Sequence, residues 1–427
     1  MALSGRAFAV ALVAVLVIMA IRSAVTIAVV DGLLFAAIVL DVLLAAPIGK
    51  LSLQRAGDTR VRLGEPATVT TTIANTSRRP LRAQVRDAWP PSAGARPTRA
   101  ALRIAPGGRG QFAATIAPAR RGDCVAETVT IRSFGPLGLA ARQHGRPARW
   151  ALRALPPFPS RKHLPGKLAL LRQLDGQHQA VLPGQGSEFD SLREYVIGDD
   201  VRSIDWRSTA RRGDIMVRTW RPERDRRIVF VLDTGRTAAG RVAGFPRLDA
   251  AMDAVQLLTA LACQAGDRID LIAIDERIRS QVLAPPRTTA LATVTDAMAT
   301  LPPELAETDW RLAASTVLGL ARRRCLVVLL TDLNPAVPLL PELRPLLARH
   351  ELLLGAVADP RVSQLAAGRG DAARVYAAAA AEHALEERVR LTAQLTRLGA
   401  TVVDAPPGRL APALADAYLA LKARGRL

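Results

Sequence analysis

The chain has 427 residues, of which 49% are apolar and 22% are charged, and its formal net charge is +20. This composition is sufficient for folded cores and excludes an intrinsically disordered chain, and the length predicts two or three domains. Because the arginines are scattered from Arg55 to Arg426 and aromatic residues make up only 4% of the chain, we expect charges that face anionic lipid and no nucleic-acid partner.

The N-terminus has the composition of a membrane anchor. One apolar run covers residues 7–21, Arg22 follows it, and a second apolar run covers residues 24–48. A membrane-spanning helix needs about 20 residues, and roughly 17 at the short end. Residues 1–49 are therefore predicted to form a transmembrane helical hairpin. The alternative is a cleaved signal peptide that leaves the second run as the anchor.

Positive charges predict the orientation of this hairpin. Basic residues flank it at both ends, whereas the turn holds one arginine. The flanking residues are Arg6, Lys50, Arg55, Arg60 and Arg62. The positive-inside rule then places the protein in the inner (plasma) membrane, with the large C-terminal part in the cytoplasm. Asp31 and Asp41 are costly in lipid, so we expect them to face another helix or subunit, or to lie near a membrane interface.

Residues 50–157 are predicted to form a β-sandwich. Apolar and polar residues alternate along residues 67–75, 81–87, 110–118 and 127–133, and turn-forming clusters separate these stretches. Period-two alternation at regular spacing, with few helical patterns, is typical of a small antiparallel sandwich. Nothing in this region indicates a ligand or a catalytic group.

Strands and helices alternate in the C-terminal region, residues 228–427. Strand-like apolar runs cover residues 228–232, 268–274, 325–330, 351–357 and 400–404, with helix-like runs between them at 248–265, 288–300, 310–322 and 382–397. Near-continuous apolar strands that alternate with amphipathic helices predict a doubly wound α/β domain with a mostly parallel sheet. The run 278–283 follows the second strand so closely that an antiparallel edge strand is expected there.

The first of these strands ends at Asp233, and a loop of small and hydroxyl-bearing residues follows. Open α/β sheets bind their ligands at the carboxyl ends of the strands. This unit resembles a von Willebrand factor A-type domain, whose metal-ion-dependent adhesion site has an Asp-x-Ser-x-Ser loop, a later threonine and a later aspartate. The resemblance implies a metal site of Asp233, Thr237, Thr308 and Asp332, and it places Gly235 where the pattern has a serine.

The chemistry of that residue set is suited to Mg²⁺, because carboxylate and hydroxyl oxygens are the ligands that this ion prefers. Mg²⁺ is therefore the expected cofactor, and the carboxylate of a bound partner would complete its coordination. The alternative is a metal-free loop in which Asp233 accepts backbone N–H groups or caps the next element.

A connector and a polar signature segment, residues 158–227, precede the α/β domain. The segment carries a long mixed pattern: Glu188-Phe189, Leu192-Arg193-Glu194-Tyr195, Gly198-Asp199-Asp200, Arg202, Ile204-Asp205-Trp206, Ala210-Arg211 and Glu223. On these residues the chain is similar to DUF58, a bacterial family of membrane proteins with a two-helix anchor, a β-domain and an A-type domain. The resemblance implies a MoxR-type AAA+ ATPase as partner and an adaptor role in the maturation of other proteins.

The charges of the signature segment support two interpretations. Arginine forks bind carboxylates bidentately, so the segment is predicted to form an ion-pair lattice that docks on the α/β domain, with Tyr195 and Trp206 as anchors. The second interpretation is a binding face for the partner. The predicted contact residues are Arg193, Tyr195, Asp199, Arg202, Asp205, Trp206, Arg211 and Glu223.

Patterns of known catalytic sites are missing from the sequence, which contains no GxSxG, HExxH or GxxxxGK[ST] motif. Its three cysteines are far apart and form no CxxC pair, so neither a disulfide framework nor a zinc site is expected. We therefore expect a membrane-anchored, non-enzymatic adaptor that engages an acidic side chain of a protein partner. The alternatives are an envelope scaffold with the sandwich as a periplasmic spacer, and a hydrolase that uses carboxylates of the signature segment.

Overall fold

The structure, a computed structural model, describes residues 2–179, 188–197, 199–221, 226–333 and 339–425. The chain is multidomain and divides into two compact units, Met1–Leu155 and Pro156–Leu427. Each unit has hydrophobic clusters of its own.

Two apolar helices open the first unit, α1 (Gly5–Ile21) and α2 (Ala24–Leu44). The chain turns between them at Arg22, which has a left-handed backbone with φ 50°. Within the described residues, the span Ala24–Lys50 is the one helical stretch long and apolar enough to cross a bilayer. Its position and composition are those of either a membrane anchor or a signal sequence.

The rest of the first unit consists of two sheets. One sheet has the order β1-β9-β8-β5-β6 with β3 beside β9, and the other has the order β2-β4-β7. The strands are β1 (Ala2–Leu3), β2 (Leu51–Gly57), β3 (Arg60–Arg62), β4 (Ala67–Asn75), β5 (Leu81–Asp87), β6 (Arg99–Ile104), β7 (Arg109–Ile116), β8 (Gly122–Phe134) and β9 (Ala140–Leu155). Ile73 of one sheet and Ile131 of the other are fully buried in one shared cluster, so the arrangement is sandwich-like. All four predicted stretches are strands.

Asp41 fastens the end of α2 to the loop between β8 and β9. Its buried carboxylate accepts the peptide N–H groups of residues 137–140 at 2.7–3.3 Å. Arg142 donates to the carbonyl of Val42 at 2.9 Å and so satisfies one of the open carbonyls at the helix end. Gly135 permits this approach, because a Cβ there would lie 2.1 Å from a carboxylate oxygen of Asp41. The charge of Asp41 is thus solvated by the protein's own backbone.

Replacing Asp41 with alanine is expected to destabilise the first unit by about 2–4 kcal/mol, because buried peptide donors would lose a charged acceptor. Thermal unfolding in detergent, with limited proteolysis of the loop 135–140, measures the effect. Asp31→Ala is the matched control, since Asp31 lies exposed on the same helix. Equal midpoints for the two variants would contradict the assigned role of Asp41.

The second unit contains a hairpin, a six-stranded sheet and a two-stranded ribbon. The strands are β10 (Glu188–Glu194), β11 (Met216–Arg221), β12 (Arg227–Asp233), β13 (Arg241–Val242), β14 (Phe245–Pro246), β15 (Arg268–Ile274), β16 (Ile278–Leu283), β17 (Leu326–Leu330), β18 (Glu351–Val357) and β19 (Thr401–Ala405). The helices are α3 (Leu164–Gln179), α4 (Trp206–Arg212), α5 (Arg236–Ala239), α6 (Arg247–Gln264), α7 (Ala290–Ala299), α8 (Trp310–Leu320), α9 (Leu339–Arg349), α10 (Pro360–Ala366), α11 (Ala372–Arg397) and α12 (Pro407–Ala423).

The large sheet has the strand order β16-β15-β12-β17-β18-β19. Only β16 is antiparallel to its neighbour, so the predicted parallel sheet and its antiparallel edge strand are confirmed. Helices α6 and α12 cover one face and α8, α9 and α11 cover the other. The first strand of this sheet along the chain is β12, which lies in the middle. The next two strands, β15 and β16, lie on one side of it, and β17, β18 and β19 follow on the other side. The strand order therefore reverses between β12 and β17, which is where such sheets place ligand sites.

Candidate functional site

The carboxylate of Asp233 lies at the end of β12, on the edge where the strand order reverses. It is 1% exposed. One oxygen accepts the N–H of Gly235 at 2.8 Å and the hydroxyl of Thr308 at 2.6 Å. The other accepts the hydroxyls of Thr237 at 2.8 Å and Thr331 at 2.6 Å. We call these four residues that converge on Asp233, together with Asp233 and the neighbouring Asp332, the acid–threonine site.

Three separate elements bring the hydroxyls to one carboxylate. Thr237 lies in α5, directly after the loop that follows β12, and Thr331 directly follows β17. Thr308 comes from the loop before α8. Backbone bonds hold that loop in place, from the N–H of Arg236 to the carbonyl of Ala306 and from the N–H of Glu304 to the carbonyl of Thr234, both at 2.8 Å. The site is therefore built on the sheet edge and braced by main-chain contacts.

Gly235 has a steric role in this arrangement. A Cβ at this position would lie 2.3 Å from the hydroxyl oxygen of Thr308 and 2.8 Å from the carbonyl oxygen of Ala306. The glycine thus allows Thr308 to reach Asp233 directly. Thr331 supplies a third hydroxyl that the sequence pattern did not assign. Its place between a buried strand and Asp332 was the signal from which it could have been found.

The three hydroxyls retain acceptor capacity after they bond to Asp233. Each hydroxyl donates its single proton to Asp233, so its lone pairs remain available as acceptors. Among the described residues, no lysine or arginine lies within ion-pair distance of Asp233. Three other buried aspartates in this unit each have such a partner: Asp267 with Lys422, Asp270 with Arg227, and Asp275 with Arg279.

A buried carboxylate without a counter-ion is costly, and hydroxyl plus carboxylate oxygens are ligands suited to Mg²⁺. The residues present therefore fit a hard cation. The described part of the chain holds no group of three or more His, Cys, Asp or Glu side chains that could bind a metal. A cation held here would depend on the threonine hydroxyls more than on carboxylates.

Asp332 is the predicted site residue whose carboxylate does not contact Asp233. One of its oxygens accepts from Arg388 at 2.7 Å, and the other forms an ion pair with Arg247. Arg388 also forks onto Asp404, with a second bond of 2.8 Å. Burial lowers the pKa of Arg247, and the nearby charge of Arg388 lowers it further. Asp332 lines the same clefts as Asp233, Thr237 and Thr331, so it lies at the rim of the site, neutralised by arginine.

Three of the predicted signature residues form contacts inside the segment. Arg193 forks onto Asp199 with bonds of 2.7 and 2.5 Å, and this bonding lowers the pKa of the Asp199 carboxyl. Asp205 caps α4 through the N–H of Ser208 at 2.9 Å and accepts from Arg218 at 2.7 Å. Both ion pairs are local and lie within the β10–β11 hairpin and its connecting loop. Glu223 lies outside the described residues.

The other predicted contact residues face solvent to a larger degree. Arg202 and Arg211 are exposed, and Trp206 is 67% exposed. The prediction that Trp206 anchors the segment on the α/β domain is not supported, because its ring lies on the first turn of a short helix whose outer side is uncovered. Tyr195 is half-buried, and its N–H donates to the carbonyl of Ile215 at 2.8 Å.

Comparison with known proteins locates the resemblance in the second unit. The family described as "Protein of unknown function DUF58" matches residues 191–387, which include the signature residues from Arg193 to Arg211 and the acid–threonine site. Uncharacterized proteins of Mycobacterium bovis and of Mycobacterium tuberculosis are 30% identical over 194 residues, which is 45% of this chain and 61% of each relative. The chain thus matches about three fifths of the length of these curated relatives.

Solved structures show weaker likeness. The CARDB domain of a Pyrococcus furiosus protein, whose crystal contains di-metal ions, aligns with 24% of this chain and 86% of its own length, at 11% identity and a TM-score of 0.19. An exo β-N-acetylglucosaminidase of Vibrio harveyi aligns with 83% of this chain and 75% of its own, at 11% identity and a TM-score of 0.19. Likeness at this level carries no argument about function.

Replacing Gly235 with alanine is expected to destabilise the second unit by about 1–3 kcal/mol, because the added Cβ must displace the Thr308 hydroxyl or the strand-end loop. Thermal or denaturant unfolding measures it. Gly319→Ala is the matched control, because a Cβ there meets nothing within 4 Å. Adding Thr308→Ala to Gly235→Ala is expected to restore part of the loss. A Gly235→Ala variant as stable as the control would show that the loop has room.

Proposed function

We propose that this protein is a membrane-anchored, non-enzymatic adaptor whose acid–threonine site engages an acidic side chain of a protein partner. The observation that carries the proposal is the convergence of three threonine hydroxyls on the buried Asp233, at the sheet edge where the strand order reverses. Within the described part of the chain, no lysine or arginine lies within ion-pair distance of that carboxylate. The α/β domain resembles von Willebrand factor A-type domains, and we propose that it is one. The chain is also similar to DUF58 proteins, and on that resemblance we propose a MoxR-type AAA+ ATPase as the partner.

The residues of the site would have different roles in binding. Thr237, Thr308 and Thr331 would hold Mg²⁺ through their lone pairs, and Asp233 would orient the hydroxyls and balance the charge. Mg²⁺ bound there would supply an open coordination position for a carboxylate of the partner. Asp332 and its two arginines would form the rim that the partner meets first.

Membrane anchoring is the second part of the proposal. Helices α1 and α2 with their turn at Arg22 are proposed to form a transmembrane hairpin, and the basic residues at both of its ends favour a cytoplasmic location for the second unit. The fastening of α2 to the sandwich-like domain through Asp41 supports an anchor that stays joined to the chain.

A hydrolase that uses carboxylates of the signature segment is less well supported. Asp199 and Asp205 are bonded to arginines and to peptide N–H groups, and these bonds hold the pKa of both carboxyls below the usual range. A general acid needs a raised pKa instead. The remaining alternative, an envelope scaffold, differs from the adaptor in its topology.

The adaptor proposal predicts that Asp233→Asn weakens binding of the full chain, in detergent, to a purified MoxR-type ATPase of the same organism. We expect a decrease of about 10- to 100-fold in affinity, the usual cost of losing a group that orients metal ligands. EDTA should weaken binding of the natural chain similarly and should have little further effect on Asp233→Asn.

Asp371→Ala serves as the control, because Asp371 is an exposed helix cap on the same unit. If Asp233→Asn binds the ATPase as tightly as the natural chain, the interface lies elsewhere on the protein. If binding needs Asp233 but is unaffected by EDTA, the site is a docking surface that works without a metal ion.

Topology separates the adaptor from the scaffold. Two reporters are fused after Pro157. A fluorescent protein that matures only in the cytoplasm is expected to be active there, and a phosphatase that is active only in the periplasm is expected to be inactive. The opposite pattern would place the second unit outside the membrane and would favour the scaffold.

A further inference from the structure

The end of the β10–β11 hairpin presents apolar side chains to solvent. We call this region, residues 195–197 and 199–215, the hairpin tip. Its exposed large apolar residues are Val196, Ile197, Val201, Trp206 and Ile215. Ile197 is 97% exposed and so contacts almost nothing in the protein. Exposed apolar side chains concentrated in one short stretch in this way indicate a contact with another protein or with a membrane.

The backbone of the hairpin tip is braced, so these side chains are held outwards. The carboxylate of Asp199 accepts the N–H of Val196 at 2.9 Å in addition to the Arg193 fork. The N–H of Asp205 donates to the carbonyl of Met216 at 2.8 Å, and the hydroxyl of Thr209 accepts the N–H of Met216 at 3.0 Å. The polar groups of the tip are thus bonded to each other, whereas its apolar groups are left uncovered.

Arginines surround the apolar residues. Arg202, Arg207, Arg211 and Arg212 are exposed and have no ion pair among the described residues. Within the tip the exposed acids are Asp200 and Asp214, so the four exposed arginines give its surface a positive excess beside the apolar side chains. Arginine stems lie along apolar surface while the guanidinium reaches phosphate, and tryptophan favours the membrane–water interface.

We propose that the hairpin tip inserts into the headgroup region of a bilayer that contains anionic lipid. The inference rests on the proposed membrane anchor, which would confine the second unit to that surface. Ile197 and Trp206 would enter the boundary between headgroups and acyl chains, and the four arginines would pair with lipid phosphates. A second point of attachment would restrict rotation of the α/β domain above the membrane.

The test uses the full chain in nanodiscs of phosphatidylcholine and phosphatidylglycerol, with an environment-sensitive dye on one introduced cysteine. The background is Cys263→Ser. Cys124 and Cys325 are buried, and burial raises the pKa of Cys325 to about 11, so these thiols resist labelling. The labelled variants are Ile197→Cys in the tip, Leu33→Cys in α2, and Leu305→Cys, an equally apolar and 83% exposed position in the second unit.

Lipid-attached quenchers are expected to reduce the dye signal by more than about twofold at positions 33 and 197 and to leave position 305 almost unchanged. Arg207→Glu with Arg211→Glu should reduce the quenching at 197, as should nanodiscs of phosphatidylcholine alone. Quenching at 33 without quenching at 197 would overturn the inference and leave a protein as the occupant of the tip. Equal quenching at 197 and 305 would show unspecific adsorption and would also overturn it. Absence of quenching at 33 would overturn the anchor itself, and the inference with it.

Discussion

A carboxylate removed from water must find donors inside the protein, and in each unit one such group joins separate segments of the chain. In the first unit, Asp41 receives a row of peptide N–H groups from a tight loop. In the second unit, Asp233 receives one peptide N–H and three hydroxyls. The two arrangements differ in the hydrogen-bonding capacity that remains on the donor groups. Peptide donors are used up by the bond, whereas a hydroxyl that donates its proton still offers its lone pairs. Only the second arrangement can therefore accept a further ligand.

The contrast between Asp233 and Asp332 follows from the same requirement. Asp332 is neutralised by Arg247 and Arg388, so it already has the charge that burial demands. Asp233 has hydrogen bonds but no such charge among the described residues. Neutral donors lower the cost of a buried carboxylate without removing it. An incoming cation would therefore gain most at Asp233, and Asp332 would need to release an arginine before it could contribute.

The periodicity of the sequence was sufficient for most of the sheet, because buried parallel strands are apolar along their whole length. It was insufficient for α11, which begins ten residues before the predicted start at 382, at Ala372. Its first turns lie largely exposed beside α10 and so lack the buried stripe that marks a helix. Helix α9 contains Pro345, which masks its helical pattern. In the site, the resemblance to an A-type domain pointed to Asp233, Thr237 and Thr308. It missed Thr331, because proximity across the β12–β17 pair depends on strand order and not on sequence separation.

The signature segment shows most plainly what a list of charges leaves undecided. Its aspartates and arginines are compatible with either an internal ion-pair lattice or a binding face for a partner. The sequence alone does not determine which of these charged side chains form ion pairs with each other. In the structure, Asp199 and Asp205 find arginines within the segment, and the arginines on the α4 side remain exposed. The structure thus shows internal ion pairs for these two aspartates, and a binding role for the exposed arginines stays a prediction. The internal pairs brace the loop, and bracing would keep Ile197 and Trp206 uncovered because it limits the collapse that an unbraced loop allows. Exposure of these apolar groups costs stability, and a contact that covers them would recover it.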